Sequence, residues 1–404
     1  MYENSKELIK ILKAFLFEEK YIQSSNTQID DIVKIAELHN VTAMVGYVLE
    51  KNNVSVSDDI APKLFKKKLQ CGILGAKREM LFNEISDALS EKSIEHIIVK
   101  GYVLRELYPV KDLRTMSDMD FVIKSEDGNN MEKVMESLNY DLDEYVQGDW
   151  SYFKNNMHIE FHEKLTESEL GNGFDYDEYL KDCFLHTEEY RKLTKKLDME
   201  YHLIYMFIHC AKHFYNEGCG FRMIMDFAAY IKAYNNVIDW NYVNSELKKI
   251  HLYDFSNSIW YLCQVWFNIT PSNKEYTMDS ELYNELLGYI VKGGTFGEAQ
   301  AKDRMMSKAA RETFEKAGNS KIKGFYVKLK KYVLLDDKSM RGIVGWYKNM
   351  PKFMLPVAWI YKAFNAVKNK GLGTTKDIIG SGANNNTALQ EYTMLEKLGL
   401  YNKK

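Results

Sequence analysis

The chain has 404 residues, of which 46% are apolar, 27% charged and 13% aromatic. This composition excludes disorder over most of the chain, and the length accommodates two or three domains around a large buried core. A formal charge of −3 provides no strong overall field for nucleic acid or for an anionic membrane, although a local basic patch is compatible with it.

Residues 1–90 are predicted to be helical. Apolar residues recur at spacings of three and four in the segments Leu8–Phe15 and Ile32–Leu38, as on one face of an amphipathic helix. A polar break at Asn52–Asp59 precedes a further helix from about Ala61 to Leu89. Pro62 suits the first turn of that helix, where a missing N–H costs nothing.

The pattern changes at Ser93, where a compact unit of strands and helices is predicted. The β-branched run Ile94–Val99 favours a buried strand, and the segment Met157–His162 alternates strictly between apolar and polar residues. Between them we expect a helix over Tyr102–Tyr108, a loop over Val110–Ser117, a strand over Met119–Ile123, a helix over Asn129–Leu138 and extended segments near Asp141–Val146 and Ser151–Asn155.

From Glu200 to about Lys370 the chain is predicted to be helical again. Gly293–Gly297 indicates a turn rather than a phosphate loop, since no strand precedes it and no GK[ST] follows. A flexible loop is expected over Gly371–Thr387, and a closing helix over Ala388–Leu398. The prediction is therefore an α+β fold with a small mixed-sheet domain at 91–195, flanked by helical regions at 1–90 and 196–404.

The five cysteines are widely spaced and form no CxxC pair, so neither a disulfide framework nor a structural zinc site is expected. The first fifteen residues mix charges at helical spacing and lack the apolar core of a signal peptide. No stretch approaches the roughly 18–20 apolar residues of a membrane span. We therefore expect a cytoplasmic protein without a membrane span.

Two aspartates on one strand are the first candidate site residues. Asp118 and Asp120 are two positions apart, so on a strand they project from the same face. Neighbouring carboxylates repel each other, and a hard divalent cation removes that repulsion. Mg²⁺ takes one or two carboxylates and completes its shell with water and phosphate oxygens. The pair thus predicts a metal site for a nucleoside triphosphate, against the simpler interpretation of two loop caps.

His158, Glu160 and His162 share one face of the later alternating segment. If this strand lies beside that of the two aspartates, Glu160 becomes a third carboxylate and general-base candidate, and three carboxylates can hold two metals. The alternative is a solvated strand face. His162 is either a contact to substrate or to a carboxylate, or an exposed partner on that face.

Lys100 and Gly101 stand where the first buried strand turns into a helix. The missing side chain of Gly101 lets a phosphate approach the free N–H groups of a helix N-terminus. Lys100, Arg114 and Ser117 are candidate partners for triphosphate oxygens. For Arg114 a surface ion pair is an equally weighted interpretation.

These residues resemble the DNA polymerase β-type nucleotidyltransferase superfamily, which has a Gly at a helix start, D-x-D on the next strand and a third acidic residue on a later strand. The closer resemblance is to a bacterial uncharacterised nucleotidyltransferase family with a core reading roughly KG-x-x-L-x-x-x-Y-P, R-x-x-S-D-x-D and D-x-H. The matching segments are Lys100–Leu104, Tyr108–Pro109, Arg114–Asp120 and Glu160–His162.

The resemblance implies transfer of a nucleoside monophosphate from NTP to a hydroxyl, with Mg²⁺ or Mn²⁺ as cofactor. It leaves open a small-molecule, sugar or protein acceptor and the oligomeric state; the mild negative charge argues against a long nucleic acid. Tyr102 departs from the wider pattern, which has Gly or Ser there, and Glu160 replaces a frequent Asp. Alternatives are a catalytically silent nucleotide-binding or regulatory protein on the same fold, and a helical scaffold with an incidental Asp-Met-Asp.

His202, His209 and His213 lie on one helical stripe. Histidines at the spacing of His209 and His213 can bind zinc, but the glutamate of HExxH is missing. Hydrogen bonding in the core is the leading interpretation, and His209 and His213 are also candidate substrate contacts. Arg222 and Asp226, four residues apart, predict an intrahelical pair or a device that positions the helical domain against the cleft.

Overall fold

The structure of the chain, a computed structural model, falls into two units, residues 1–299 with 398–404 and residues 300–397. It describes residues 2–294, apart from 26, 147, 167–169, 171 and 217, and further on residues 334, 337–362, 364–365 and 386–401. None of the described helices is long and apolar enough to cross a membrane.

Four helices precede the sheet in the first unit, and their apolar faces are buried as their spacing predicts. They are α1 (Tyr2–Phe17), α2 (Ile29–Leu38), α3 (Thr42–Lys51) and α4 (Ala61–Glu91). Leu8 and Ile32, for example, are completely buried. The predicted helix that begins near Pro62 is therefore the long α4, which leads directly into the first strand.

Seven strands form one mixed sheet in the order β3-β4-β5-β2-β1-β7-β6. They are β1 (His96–Val99), β2 (Asp118–Ile123), β3 (Asp141–Val146), β4 (Asp149–Lys154), β5 (Met157–His162), β6 (Thr187–Arg191) and β7 (Thr194–Leu197). Strand β2 lies at the centre, antiparallel to β1 and parallel to β5. Together with the helices, this sheet confirms the predicted α+β class.

Three short helices connect the strands. They are α5 (Gly101–Leu104), which continues as a 3₁₀ turn at Arg105–Leu107, α6 (Gly128–Ser137) and α7 (Tyr176–Leu180). The alternation of β2 and β5 sorts their residues between the two faces of the sheet. The apolar set packs against α4 and α6 and consists of Met119, Phe121, Ile123, Met157, Ile159 and Phe161.

The hairpin of β6 and β7 is absent from the sequence-based prediction. β6 is an edge strand with no fully buried residue, and β7 has two buried residues in four, so neither segment shows an apolar run. β7 nevertheless pairs in parallel with β1. Only this pairing, together with the pairing of β6 with β7, reveals these polar segments as strands.

Among the described residues of the first unit, five α-helices follow the sheet: α8 (Met199–Asn216), α9 (Phe221–Tyr234), α10 (Trp240–Lys249), α11 (Tyr253–Phe267) and α12 (Ser280–Gly293). The second unit contains α13 (Asp337–Ile343) and α14 (Asn386–Lys397). Helix α12 ends at the predicted glycine turn, of which residues 295–297 lie outside the described residues. Residues 371–385 of the predicted loop at 371–387 also lie outside the described residues.

A buried chain of hydrogen bonds fixes β7 to both β1 and α4. His96 Nδ1 lies 3.0 Å from the Ile94 carbonyl oxygen, and its Nε2 lies 2.7 Å from Thr194 Oγ1. Burial lowers the pKa of His96 to about 4, so the ring is neutral. Nδ1–H therefore donates to the carbonyl, Nε2 accepts from Thr194, and the Thr194 oxygen is left to accept from Ser86.

Replacing Thr194 by Val removes the middle of this chain without changing its shape. His96 Nε2 and the Ser86 hydroxyl then lose their partner in the core, and the free energy of unfolding should fall by about 1–3 kcal/mol. Urea unfolding followed by circular dichroism measures this loss. Thr194→Ser keeps the hydroxyl and is the matched control; an equal loss in both variants would contradict the hydrogen-bond account.

Candidate active site

Strands β2 and β5 bring together polar side chains on the face of the sheet opposite the core. Their parallel register pairs Asp118 with His158 and Asp120 with Glu160. One ligand atom from each of Asp118, His158 and Glu160 lies within 4.8 Å of the others, and the same holds for Asp120, Glu160 and His162. The two strands are thus neighbours, as a third carboxylate at Glu160 requires.

Asp120 is the buried centre of this acidic cluster. Lys100 Nζ donates to its Oδ1, and His162 Nε2 lies 3.2 Å from the same oxygen. Within the described part of the chain, Oδ2 is buried without a hydrogen-bond partner. Burial disfavours the charged form, but the Lys100 charge and the His162 hydrogen bond outweigh it and hold the pKa of Asp120 well below its usual range. A buried, ionised carboxylate with one unused oxygen fits a metal ligand.

The pKa of Asp118 is shifted in the direction opposite to that of Asp120. Burial raises the pKa of Asp118, and the neighbouring charges of Asp120 and Glu160 raise it further, against the effect of Lys100. The Ser117 hydroxyl tends to lower the pKa of the adjacent Asp118 carboxylate, so Ser117 lies at the edge of the cluster. Like charges crowded in this way are what a divalent cation relieves.

Lys100 reaches the cluster through an unusual backbone conformation. Its φ of 54° and ψ of −129° are rare for a residue with a side chain. Such a conformation costs about 1–3 kcal/mol and persists only where surrounding contacts enforce it. Burial tends to lower the pKa of Lys100, but the Asp120 charge outweighs it and raises that pKa, so the ammonium stays charged.

His162 lies among three carboxylates. Its Nδ1 is 2.7 Å from Asp149 Oδ1, and its Nε2 is 3.2 Å from Asp120 Oδ1 and 3.3 Å from Glu160 Oε2. Burial opposes the charge on the ring, but hydrogen bonds to these carboxylates raise the pKa of His162 to about 10. Together with Lys100, the protonated ring partly balances the negative charge of the cluster.

Gly101 faces a side chain of the protein at the position where a phosphate was expected. A Cβ on Gly101 would lie 2.7 Å from Arg114 Nη1 and 3.2 Å from Met116 Cβ. Helix α5 also has only four residues, so few peptide dipoles are aligned to attract an anion to its start. The missing side chain makes room for the Arg114 guanidinium, and the phosphate contact of Gly101 stays a prediction.

Two arginines clasp the loop before β2 to helix α9. Arg114 Nε and Nη2 donate to Asp226 Oδ1 and Oδ2 at 2.9 and 2.7 Å, and the Tyr108 hydroxyl donates to Oδ1 at 2.7 Å. In the opposite direction, Arg222 Nη1 donates to the Thr115 carbonyl at 2.7 Å. We call these contacts the arginine clasp. The ion pair considered for Arg114 is thus formed, but it is buried and joins distant segments.

Helix α8 lies beside the acidic cluster. The Nε2 atoms of His209 and His213 are 3.2 Å apart. Burial lowers the pKa of His209 well below its usual value, and the charges of His213 and Lys100 lower it further, so the His209 ring is neutral. The buried Tyr205 hydroxyl has no hydrogen-bond partner among the described residues. Burial raises the pKa of Tyr205, Lys100 opposes this effect, and the charge of Asp120 adds to it. His209 and His213 stay candidate substrate contacts.

Three neighbours of the cluster were not among the predicted site residues: Asp149, His158 and Tyr205. His158 shares the alternating face of Glu160 and could have been included for that reason. Asp149 could have been found from the dipeptide Asn155–Asn156, which forms the turn between β4 and β5 with both residues at positive φ. A two-residue turn of this kind fixes the hairpin register, which pairs Asp149 with His162.

The fold and the cluster together define a mixed sheet that presents several carboxylates to one possible metal position. A family model described as uncharacterised nucleotidyltransferase matches residues 25–268, more than half of the chain. The chain therefore belongs to this family of nucleotidyltransferases. No curated protein and no solved structure matches the chain.

The arginine clasp yields a test of stability. Arg114→Met leaves Asp226 buried beside Tyr108 without its cation, so we expect a loss of about 3–5 kcal/mol in the free energy of unfolding. The double variant Arg114→Met/Asp226→Leu removes both charges and should recover most of that loss. Urea unfolding compares the variants.

An exposed pair provides the control for this comparison. Lys34 and Asp31 are 2.8 Å apart on the surface of α2. Lys34→Met should therefore leave the free energy of unfolding almost unchanged. A double variant no more stable than Arg114→Met would contradict the view that the uncompensated charge causes the loss.

Proposed function

We propose that this protein transfers a nucleoside monophosphate from NTP to a hydroxyl of an acceptor and releases pyrophosphate, as a member of the DNA polymerase β-type superfamily. The observation that carries the proposal is the convergence of Asp118, Asp120 and Glu160 on one face of two adjacent strands. Membership of a nucleotidyltransferase family supports it.

Each carboxylate has a role in this proposal. Asp118 and Asp120 hold divalent metal, Mg²⁺ or Mn²⁺, and Glu160 either ligates metal or accepts the proton of the acceptor hydroxyl. When bound there, two metals would supply activation of the attacking hydroxyl and charge stabilisation of the leaving pyrophosphate. The unused Asp120 Oδ2 and the mutual repulsion at Asp118 support these assignments.

The nucleotide end of the site is formed by Lys100, Gly101, Ser117 and Arg114 in this proposal. The Lys100 ammonium, held at the Asp120 carboxylate, lies where a metal-bound phosphate would arrive. Arg114 is engaged by Asp226 through two hydrogen bonds, which supports a positioning role alongside any contact with phosphate.

We assign the chemistry to the sheet domain at 91–195, which is flanked by helical regions at 1–90 and 196–404. The substrate cleft in this proposal lies between the sheet and the helices that follow it in the first unit. His209 and His213 are proposed substrate contacts, and His162 is proposed to act through its contacts with the carboxylates of Asp120 and Glu160. A small molecule, a sugar or a protein would serve as the acceptor.

A catalytically silent nucleotide-binding protein on the same fold is the second candidate. Tyr102, which stands in place of the superfamily's Gly or Ser, is buried in the core. Its ring stacks on Phe82 at 4.4 Å between centroids, and the Arg105 guanidinium lies 4.6 Å from its centroid. This position therefore gives the site no hydroxyl for phosphate.

The decisive variant is Asp118→Asn/Asp120→Asn. It removes the two carboxylate charges that hold metal, so the rate of pyrophosphate release should fall at least about 1000-fold, equivalent to about 4 kcal/mol. The assay uses each of the four NTPs with Mg²⁺ or Mn²⁺ across small-molecule, sugar and protein acceptors. A thermal-shift screen with the same NTPs and metals reports binding.

The chain offers a matched control on the same sheet. Asp141 and Asp143 form a second D-x-D on the edge strand β3, where both are exposed. Asp141→Asn/Asp143→Asn should keep full activity. Full activity in the Asp118/Asp120 variant would eliminate the mechanism. A metal-dependent thermal shift without turnover on any acceptor would favour the silent protein.

A further inference from the structure

The two ring nitrogens of His162 have different surroundings, and together they match a metal-bound imidazole. Nδ1 lies 2.7 Å from the Asp149 carboxylate, while Nε2 faces Asp120 and Glu160 at 3.2 and 3.3 Å. Histidines that ligate metals almost always donate their second N–H to a carboxylate, a carbonyl or water. Asp149 fills that position for His162, because the β4–β5 register places the two residues opposite each other.

His158 belongs to a second ligand set, in which it lies directly opposite Asp118 on the neighbouring strand. The first set consists of Asp120, Glu160 and His162, and the second of Asp118, Glu160 and His158. Each set contains one aspartate of β2, the shared Glu160 and one histidine of β5. The parallel register produces both sets, because it repeats the same neighbour relation two residues further along the strands.

An independent observation points to a cation in the first set. Asp120 is about 1% exposed, and its Oδ2 is buried with no hydrogen-bond partner within the described residues. Buried carboxylate oxygens are normally paired, because leaving one unpaired is costly. A bound cation would satisfy this oxygen.

We propose that this centre is a mixed carboxylate–imidazole site for a divalent first-row transition ion in preference to Mg²⁺, with His162 as a ligand that Asp149 orients. The inference deepens the proposed function and rests on its metal site. A metal at Nε2 takes the place of the proton that this nitrogen shares with the carboxylates, and the proton passes to solvent.

The physical basis is the softness of the donors. Mg²⁺ prefers oxygen ligands in a near-ideal octahedron and retains several waters. Imidazole nitrogen favours transition ions, and affinity rises from Mn²⁺ to Co²⁺ at a given set of nitrogen and oxygen donors. The order of affinity expected here is therefore Co²⁺, then Mn²⁺, then Mg²⁺.

Calorimetry of the full chain with each metal alone, without nucleotide, tests this order. Mn²⁺ should bind at least about tenfold more tightly than Mg²⁺. In His162→Gln, the Mn²⁺ and Co²⁺ affinities should fall about tenfold or more, while the Mg²⁺ affinity changes less than about threefold. Asp149→Asn retains the imidazole and should still weaken Mn²⁺ binding about tenfold, as loss of an orienting partner does.

His186 provides the matched control, since its Nδ1 lies 3.7 Å from Asp198 and it belongs to neither ligand set. His186→Gln should leave all three affinities unchanged. Electron spin-echo measurements on Mn²⁺ add a direct readout of coordination. Nitrogen coupling should be present in His158→Gln and absent from His158→Gln/His162→Gln.

The outcomes separate this inference from the proposed function. Equal affinities for Mg²⁺ and Mn²⁺, an equal loss of both in His162→Gln, or no nitrogen coupling would overturn the transition-ion preference and leave the nucleotidyltransferase proposal standing. No binding of any divalent ion, with the metal alone or with NTP, would overturn both.

Discussion

The parallel pairing of β2 with β5 is the constraint on which the candidate site depends. In this register Asp118 lies beside His158 and Asp120 beside Glu160, while the intervening apolar residues pack on α4 and α6. A slip of one residue would turn the carboxylates into that core, which is energetically prohibitive. The buried apolar face therefore selects the register that gathers the charges.

The gathered carboxylates are held in place from several directions. Lys100 and His162 contribute positive charge to Asp120, and Lys100 does so from a strained backbone position at the end of β1. The arginine clasp connects the loop before β2 to α9, so a helix of the C-terminal region bears on the strand that carries both aspartates. A buried pair of this kind is sensitive to loss of either partner, which links the geometry of the site to the packing of the helices.

The predictable parts of the fold were those with a local signal. Strands β1, β2 and β5 show β-branched or alternating residues, and Asp118, Asp120 and Glu160 stand out on them. The β6–β7 hairpin gave no such signal, because its polar segments become strands only when β7 pairs with β1 and β6 pairs with β7. The ion pair of Arg114 and Asp226 joins residues 112 positions apart in the chain. Local spacing could not reveal this pair, and instead indicated Arg222 of the same helix as a partner for Asp226.

By itself, the sequence determined the α+β class, the candidate carboxylates and a resemblance to nucleotidyltransferases, because periodicity and short motifs are properties of neighbouring residues. The tertiary structure decided which charges meet. It placed the Arg114 guanidinium against Gly101, set Asp149 behind His162, and put Tyr102 in the core. These relations depend on strand order, register and helix packing, which arise from contacts between residues far apart in the chain.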